Sequence, residues 1–125
     1  MDSNASIITL GVRDLEKALS FYRDGLGVSV SSRKGDLVVM DFGDFQFGLY
    51  ANAKPANGPL TKITLSHNVS DNPAVRALLQ AAAKAGARIV TQPHVAIWGG
   101  YSGSFADPDG HLWEVACPTN LETAE

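Results

Sequence analysis

The sequence predicts an α+β fold in which one βαβββ module is stated twice, and three observations carry that prediction. Ile8-Thr9-Leu10, shortly before a helical pattern, recurs as Ile63-Thr64-Leu65 before another, and Phe42-Gly43-Asp44 returns as Phe105-Ala106-Asp107 at the turn into each half's last strand. Each half carries one stretch of helical spacing among several of strand spacing. Between the halves, Asn52 to Pro59 gathers two prolines, a glycine and small residues, which is connector chemistry. Internal duplication settles an architecture before any single motif is weighed, and two copies related by a pseudo-symmetry axis leave one shared cleft. The expected layout is a single domain over residues 1–125, with module 1 at about 6–52, a linker at 53–61 and module 2 at about 62–117.

In the first half, Ile7 to Val12 is a short apolar run rich in β-branched residues and reads as a strand. Asp14 offers an N-cap, and Glu16 sits where an acidic side chain favours the helix dipole. Leu15, Ala18, Leu19, Tyr22 and Leu26 recur at helical spacing until Gly25 and Gly27 stop the helix. Val28 to Ser31 alternates, Leu37 to Met40 is apolar throughout, and Phe45 to Tyr50 alternates again, with Lys34-Gly35 and Gly43-Asp44 as the turns between them.

The second half repeats the plan. Ile63 to Val69 makes a strand, and Asp71, Asn72 and Pro73 open a helix carrying Val75, Leu78, Leu79 and Ala82, which Gly86 closes. Arg88-Ile89-Val90, Tyr101 to Ala106 and Leu112 to Ala116 supply the last strands. Asp107-Pro108-Asp109-Gly110 has turn chemistry, and Asn120 onward is expected to be a loose tail.

Composition excludes several classes. A formal net charge of -3 gives no general pull toward nucleic acid or an acidic membrane surface, so neither is an expected partner. Cys117 is the one cysteine, so no intrachain disulfide can form. Met1-Asp2-Ser3-Asn4 has neither a basic region nor an apolar stretch after it, which leads to the expectation of a cytoplasmic protein.

The order of these features, the Val12-Arg13-Asp14-Leu15 opening with Phe21-Tyr22 on the same helix, and the closing Asp107-Pro108-Asp109-Gly110 with Glu114 four residues on together resemble the vicinal-oxygen-chelate (VOC) superfamily. That superfamily includes glyoxalase I, bleomycin-resistance proteins and extradiol dioxygenases, and the likeness spans nearly the whole chain. The resemblance implies the glyoxalase/bleomycin-resistance fold, with the strands of both modules in an open eight-stranded cleft that holds a small organic ligand. It also implies a homodimer, for which exposed sheet edges give a physical reason.

A divalent metal often sits at the floor of that cleft, held from the opening and closing strands of each half. Glu114 matches the closing-strand carboxylate. Counting back five from Val12 puts the opening-strand position at Ile7, and five from Val69 puts its duplicate at Thr64. Aligning Phe47-Gly48-Leu49 with Trp113-Glu114-Val115 puts the first half's carboxylate position at Gly48. Isoleucine and glycine offer no side-chain lone pair and a neutral threonine hydroxyl is a weak donor, whereas transition-metal sites need roughly three or more His, Cys or carboxylate ligands. The expectation is a fold kept with its usual metal site lost: no cofactor, a divalent metal disfavoured, and Glu114 as the polar anchor.

By strand alternation Thr9 and Gly11 share the face of Ile7, Ser66 and Asn68 that of Thr64, and Leu112 and Ala116 that of Glu114. The expected ligand contacts are Thr9, Thr64, Ser66 and Glu114, with Phe47, Tyr50, Trp98 and Tyr101 lining the walls. Trp98 to Gly103 pairs two aromatics with three glycines and reads as a flap over the cleft, or else as a bent edge strand whose aromatics pack in an interface or the core. His67 has the parity of the helix-covered face, where a structural histidine is expected; His111 is expected to be exposed after its turn, and His94 to lie in a loop. Cys117 reads as a small apolar residue.

Three functional readings stand. The first is a metal-independent small-molecule-binding protein. The second is a metal-free lyase or isomerase acting next to a carbonyl, with Glu114 as general base. The third is a metal-dependent glyoxalase-like lyase or dioxygenase that draws ligands from displaced positions such as His67.

Overall fold

Two four-stranded sheets, each with one helical segment against it, make up the fold in a computed structural model that describes residues 7–51, 64–97 and 99–118. The expected linker at 53–61, Ile63, Trp98 and the residues from Asn120 onward lie outside the described residues. The chain divides into two compact units, Met1–Leu60 and Thr61–Glu125.

In the first unit the elements are β1 (Ile8–Gly11), α1 (Leu15–Leu19), β2 (Ser29–Lys34), β3 (Leu37–Phe42) and β4 (Phe45–Tyr50), with sheet order β1-β4-β3-β2. The Asp14 carboxylate accepts from the amides of Glu16 at 3.0 Å and Lys17 at 3.2 Å, as its N-cap position predicts. The helix continues past α1 as a π-helical stretch, Ser20–Gly25, and the Leu26 amide donates to the Phe21 carbonyl five residues back at 3.0 Å. Phe21 and Tyr22 are both buried there, and the Tyr22 ring meets Phe21 edge-on at 4.8 Å and Phe47 at 5.1 Å. Leu10, Val38, Met40, Phe47 and Leu49 complete this core. β2 runs farther than the alternation of Val28 to Ser31 predicts. All its residues are exposed and it bulges between Val30 and Ser32, so no apolar period marks its extent.

The second unit repeats the plan with β5 (Thr64–Asn68), α2 (Asn72–Ala85), β6 (Arg88–Val95), β7 (Tyr101–Ala106) and β8 (Leu112–Cys117), in the order β5-β8-β7-β6. Asp71 caps α2 by accepting from the Ala74 amide at 2.8 Å, and Gly86 ends it at φ +113°, a left-handed position that suits glycine. Val75, Leu79 and Ala82 face a core of Leu65, Phe105, Trp113, Val115 and Cys117.

Two expectations are corrected here. His94 lies in β6 and not in a loop: an edge strand with register breaks between Ile89 and Thr91 and between Thr91 and His94 tolerates Pro93, which has no N–H for a ladder. Tyr101 to Gly103 belong to β7, an inner strand, and so are not a flap. The turn before them is tight, with the Ala96 amide donating to the Gly100 carbonyl at 2.7 Å.

The duplicated topology is confirmed, but the recurring tripeptides are out of structural step by two residues. Thr9 pairs with Gly48 and Ser66 with Glu114, while Val12 donates to Tyr50 at 3.0 Å and Val69 to Ala116 at 2.8 Å. Thr9 therefore answers to Ser66, and Ile7 to Thr64. A two-residue offset keeps every side chain on its own face, so the misalignment is silent in the hydrophobic pattern.

The turn at Asp107 is as expected, yet His111 is buried at 2% exposure and not exposed. The Asp107 carboxylate accepts from the amides of Asp109 at 2.9 Å and His111 at 2.8 Å, and the Asp107 amide donates to the His111 carbonyl at 2.8 Å. His111 closes the turn and is drawn inward with it.

Candidate functional site

The faces of each sheet follow from what the helical side touches. In the second unit a Cβ on Gly103 would meet Leu79 of α2, so Tyr101, Gly103 and Phe105 face α2 and Ser102, Ser104 and Ala106 face away. Cross-strand partners share a face, which puts Leu65, His67, Trp113, Val115 and Cys117 on the α2 side. Thr64, Ser66 and Asn68 of β5 and Leu112, Glu114 and Ala116 of β8 occupy the other side. Ser66, Glu114 and Ser104 stand directly opposite one another on three adjacent strands, about 5 Å apart by sheet geometry. Glu114 is half-buried and Ser66 is exposed.

That row has a definite chemistry. A carboxylate accepts hydrogen bonds and attracts cations, while the two flanking hydroxyls both donate and accept. Ser104 was not singled out from the sequence, because its place beside Glu114 depends on the β7–β8 register and not on local spacing.

In the first unit the Tyr22 contact fixes Phe47 on the helical side, so Thr9, Gly48 and Val39 share the opposite face, as do Gly11, Tyr50 and Leu37. Gly48 is buried, and a Cβ built on it would lie 3.1 Å from Thr9 Oγ1 and 3.3 Å from Leu37 Cδ1. Beside them the Gln46 amide donates to Ser31 Oγ at 3.0 Å and to Asp41 Oδ1 at 2.7 Å. Alternation from Gly48 back to Gln46 could have found this polar group; Ser31 and Asp41 needed the hairpin register.

Of the residues expected to contact a ligand, Thr9 and Tyr50 therefore share one face of the first sheet, and Thr64, Ser66 and Glu114 share one face of the second. Phe47 and Tyr101 do not join them. Phe47 is fully buried against Tyr22, and Tyr101 points to α2, where the Arg76 guanidinium lies 5.6 Å from its ring centroid. Trp98 is outside the described residues. His67 is half-buried on the α2 side, as its parity predicts, and burial holds its imidazole below the ordinary histidine value.

The donor set that the fold family implies for a metal does not fit one. Ile7 precedes β1, Gly48 has no side chain and is closed over by Thr9 and Leu37, and Thr64 offers a neutral hydroxyl, leaving the Glu114 carboxylate. Among the described residues, no three His, Cys, Asp or Glu side chains come together in a way that could hold a metal ion. No helix among them is long and apolar enough to cross a membrane.

The model of the Glyoxalase/Bleomycin resistance protein/Dioxygenase superfamily matches residues 5–115. Comparison with curated proteins gives no match. Among solved structures the chain is similar to a glyoxalase-related enzyme from Fulvimarina pelagi, with 28% identity, 92% of this chain and 88% of that chain covered, and a TM-score of 0.80. It is similar also to a hypothetical protein from S. aureus, with 26% identity, 94% of each chain covered and a TM-score of 0.81. A fosfomycin resistance protein from Mesorhizobium loti shares the fold over 100% of both chains at 20% identity and a TM-score of 0.74. With its duplicated βαβββ units and a family match over nearly its whole length, the chain belongs to the Glyoxalase/Bleomycin resistance protein/Dioxygenase superfamily.

Proposed function

We propose that this chain is a metal-independent small-molecule-binding member of its superfamily, with Glu114 as the polar anchor of the ligand. The observation that carries the reading is the donor set itself: Ile7, Gly48, Thr64 and Glu114 supply one carboxylate where a transition metal needs about three strong ligands. The Ser66–Glu114–Ser104 row supports it further. A half-buried acceptor between two hydroxyls suits a ligand that brings an N–H or O–H to Glu114 and a carbonyl or hydroxyl to a serine.

The test is a thermal-shift screen of small metabolites and antibiotics with and without EDTA, alongside metal analysis of the purified protein. A ligand at a hundred times its Kd stabilises the native state by about 2.7 kcal/mol, a readily measured shift. The reading expects hits whose shifts are the same in EDTA. Glu114→Gln should weaken such a hit by no more than about tenfold, since the amide oxygen still accepts, whereas Glu114→Ala should remove most of the shift. A stoichiometric transition metal that Glu114→Ala releases would sink the proposal. Turnover of a hit that Glu114→Gln abolishes with binding intact would instead make Glu114 a general base.

A further inference from the structure

Among the described residues, no side chain hydrogen-bonds or ion-pairs with the half-buried Glu114 carboxylate. Its neighbours along the same face, Thr64 and Asn68 on β5, Leu112 and Ala116 on β8 and Ser102 and Ala106 on β7, bring no charge. Arg88 and His94 of the edge strand β6 pair with Ala106 and Ser102, so each stands one row along and two strands away from Glu114. Neither makes an ion pair with it.

A ligand that covers this carboxylate takes it out of water, and burying an anion costs free energy unless a positive charge comes with it. A neutral N–H or O–H group supplies a hydrogen bond and leaves the charge uncompensated. A primary ammonium group supplies the charge together with three N–H donors, enough for the carboxylate and for a serine hydroxyl beside it on a strand about 5 Å away. A quaternary ammonium group has no N–H and is held by aromatic faces, which the neighbours named above do not provide. Leu112 and Ala116, on either side of Glu114 along β8, suit the carbon body that carries the nitrogen.

We infer that the ligand of this site is a primary amine, bound as its ammonium ion with one N–H on Glu114 and another on Ser66 or Ser104. This assignment rests on the anchor role proposed for Glu114 and adds the charge and the donor count of what is anchored. Benzylamine is the probe, with benzyl alcohol as its neutral isostere and benzyltrimethylammonium as the cation without N–H, in amide NMR titrations of the isotope-labelled full chain at neutral pH. Benzylamine should give saturable shifts at Ser66, Ser104 and Glu114, with both controls about tenfold weaker. Glu114→Gln should lower benzylamine to the affinity of benzyl alcohol, and Ser66→Ala combined with Ser104→Ala should weaken it about fivefold, each variant keeping the parent's remaining amide shifts. Equal binding of benzyl alcohol at the same residues would overturn the inference and leave Glu114 an anchor for neutral donors. Equal binding of benzyltrimethylammonium, unchanged affinity in either variant, or no saturable shift up to about 10 mM benzylamine would overturn it as well. A stoichiometric transition metal that Glu114→Ala releases would remove the anchor reading and this inference with it.

Discussion

Gly103→Ala should destabilise the second unit although it adds a single methyl group. The new Cβ would sit well inside van der Waals contact of Leu79 Cδ1, a side-chain end that can shift toward the space between α2 and β6, so the backbone contacts decide the cost. The Thr91 carbonyl at 3.0 Å and the Pro93 nitrogen at 3.2 Å are backbone atoms of a strand paired to β7. Overpacking of this kind costs about 1–3 kcal/mol. Gly103 is not at a positive φ, so alanine recovers about 0.4–1 kcal/mol by restricting the unfolded chain.

The net loss is about 1–2 kcal/mol, which lowers Tm by about 3–10 °C for a chain of this length. Gly48→Ala is the matched control. Its neighbours at 3.1 and 3.3 Å are the Thr9 and Leu37 side chains, which can give, and it should cost less than about 1 kcal/mol. Urea denaturation of the two variants, and of Leu79→Ala with and without Gly103→Ala, completes the assay. Truncating Leu79 should cost about 1 kcal/mol less in the alanine background, because it removes the clash it otherwise shares. A Gly103→Ala protein as stable as the parent would refute the close approach of β7 to α2.

Asp107→Ala strips the acceptor from the amides of Asp109 and His111 in a turn where Asp107 is 5% and His111 2% exposed. It should cost about 2–4 kcal/mol by urea denaturation, and Asp107→Asn distinctly less because its carbonyl still accepts; equal losses would show that the acceptor is not what matters. His67 predicts a pH dependence. Its folded imidazole titrates below the ordinary value of about 6.5, so over that interval the unfolded chain binds more protons and stability falls as pH drops. His67→Gln should flatten the fall between about pH 7 and 5, and an unchanged profile would exclude burial of His67 as its source.

Much of the fold was legible because its signals are local. Asp14 and Asp71 announce their helices through a side chain that reaches amides two or three residues on, and Gly86 ends α2 by a backbone conformation that suits glycine. Within one strand, alternation placed Ser66 with Thr64 and turned His67 away from them. Where reading stopped short, the missing information was non-local. Alternation separates Phe47 from Gly48 but does not say which face a helix covers, and the Tyr22 contact answers that. Tyr101 turned from an expected wall of the cleft into a support for Arg76 because the β7–β8 register puts Ser104, and not Tyr101, on Glu114's face.

From the residues alone come the two βαβββ modules, their helix caps and turns, and the inventory of donors at the positions that the family resemblance assigns to a metal. Hydrophobic period, capping and turn chemistry act over a few residues, and the number of lone pairs on a side chain does not depend on folding. Tertiary structure decided the step between the two copies, the Ser66–Glu114–Ser104 row, the inward turn of His111 and the close approach of Gly103 to Leu79. Each of these rests on hydrogen-bond register, a bulge or a steric approach between segments distant in the chain, and such pairings exist only once the sheets have formed.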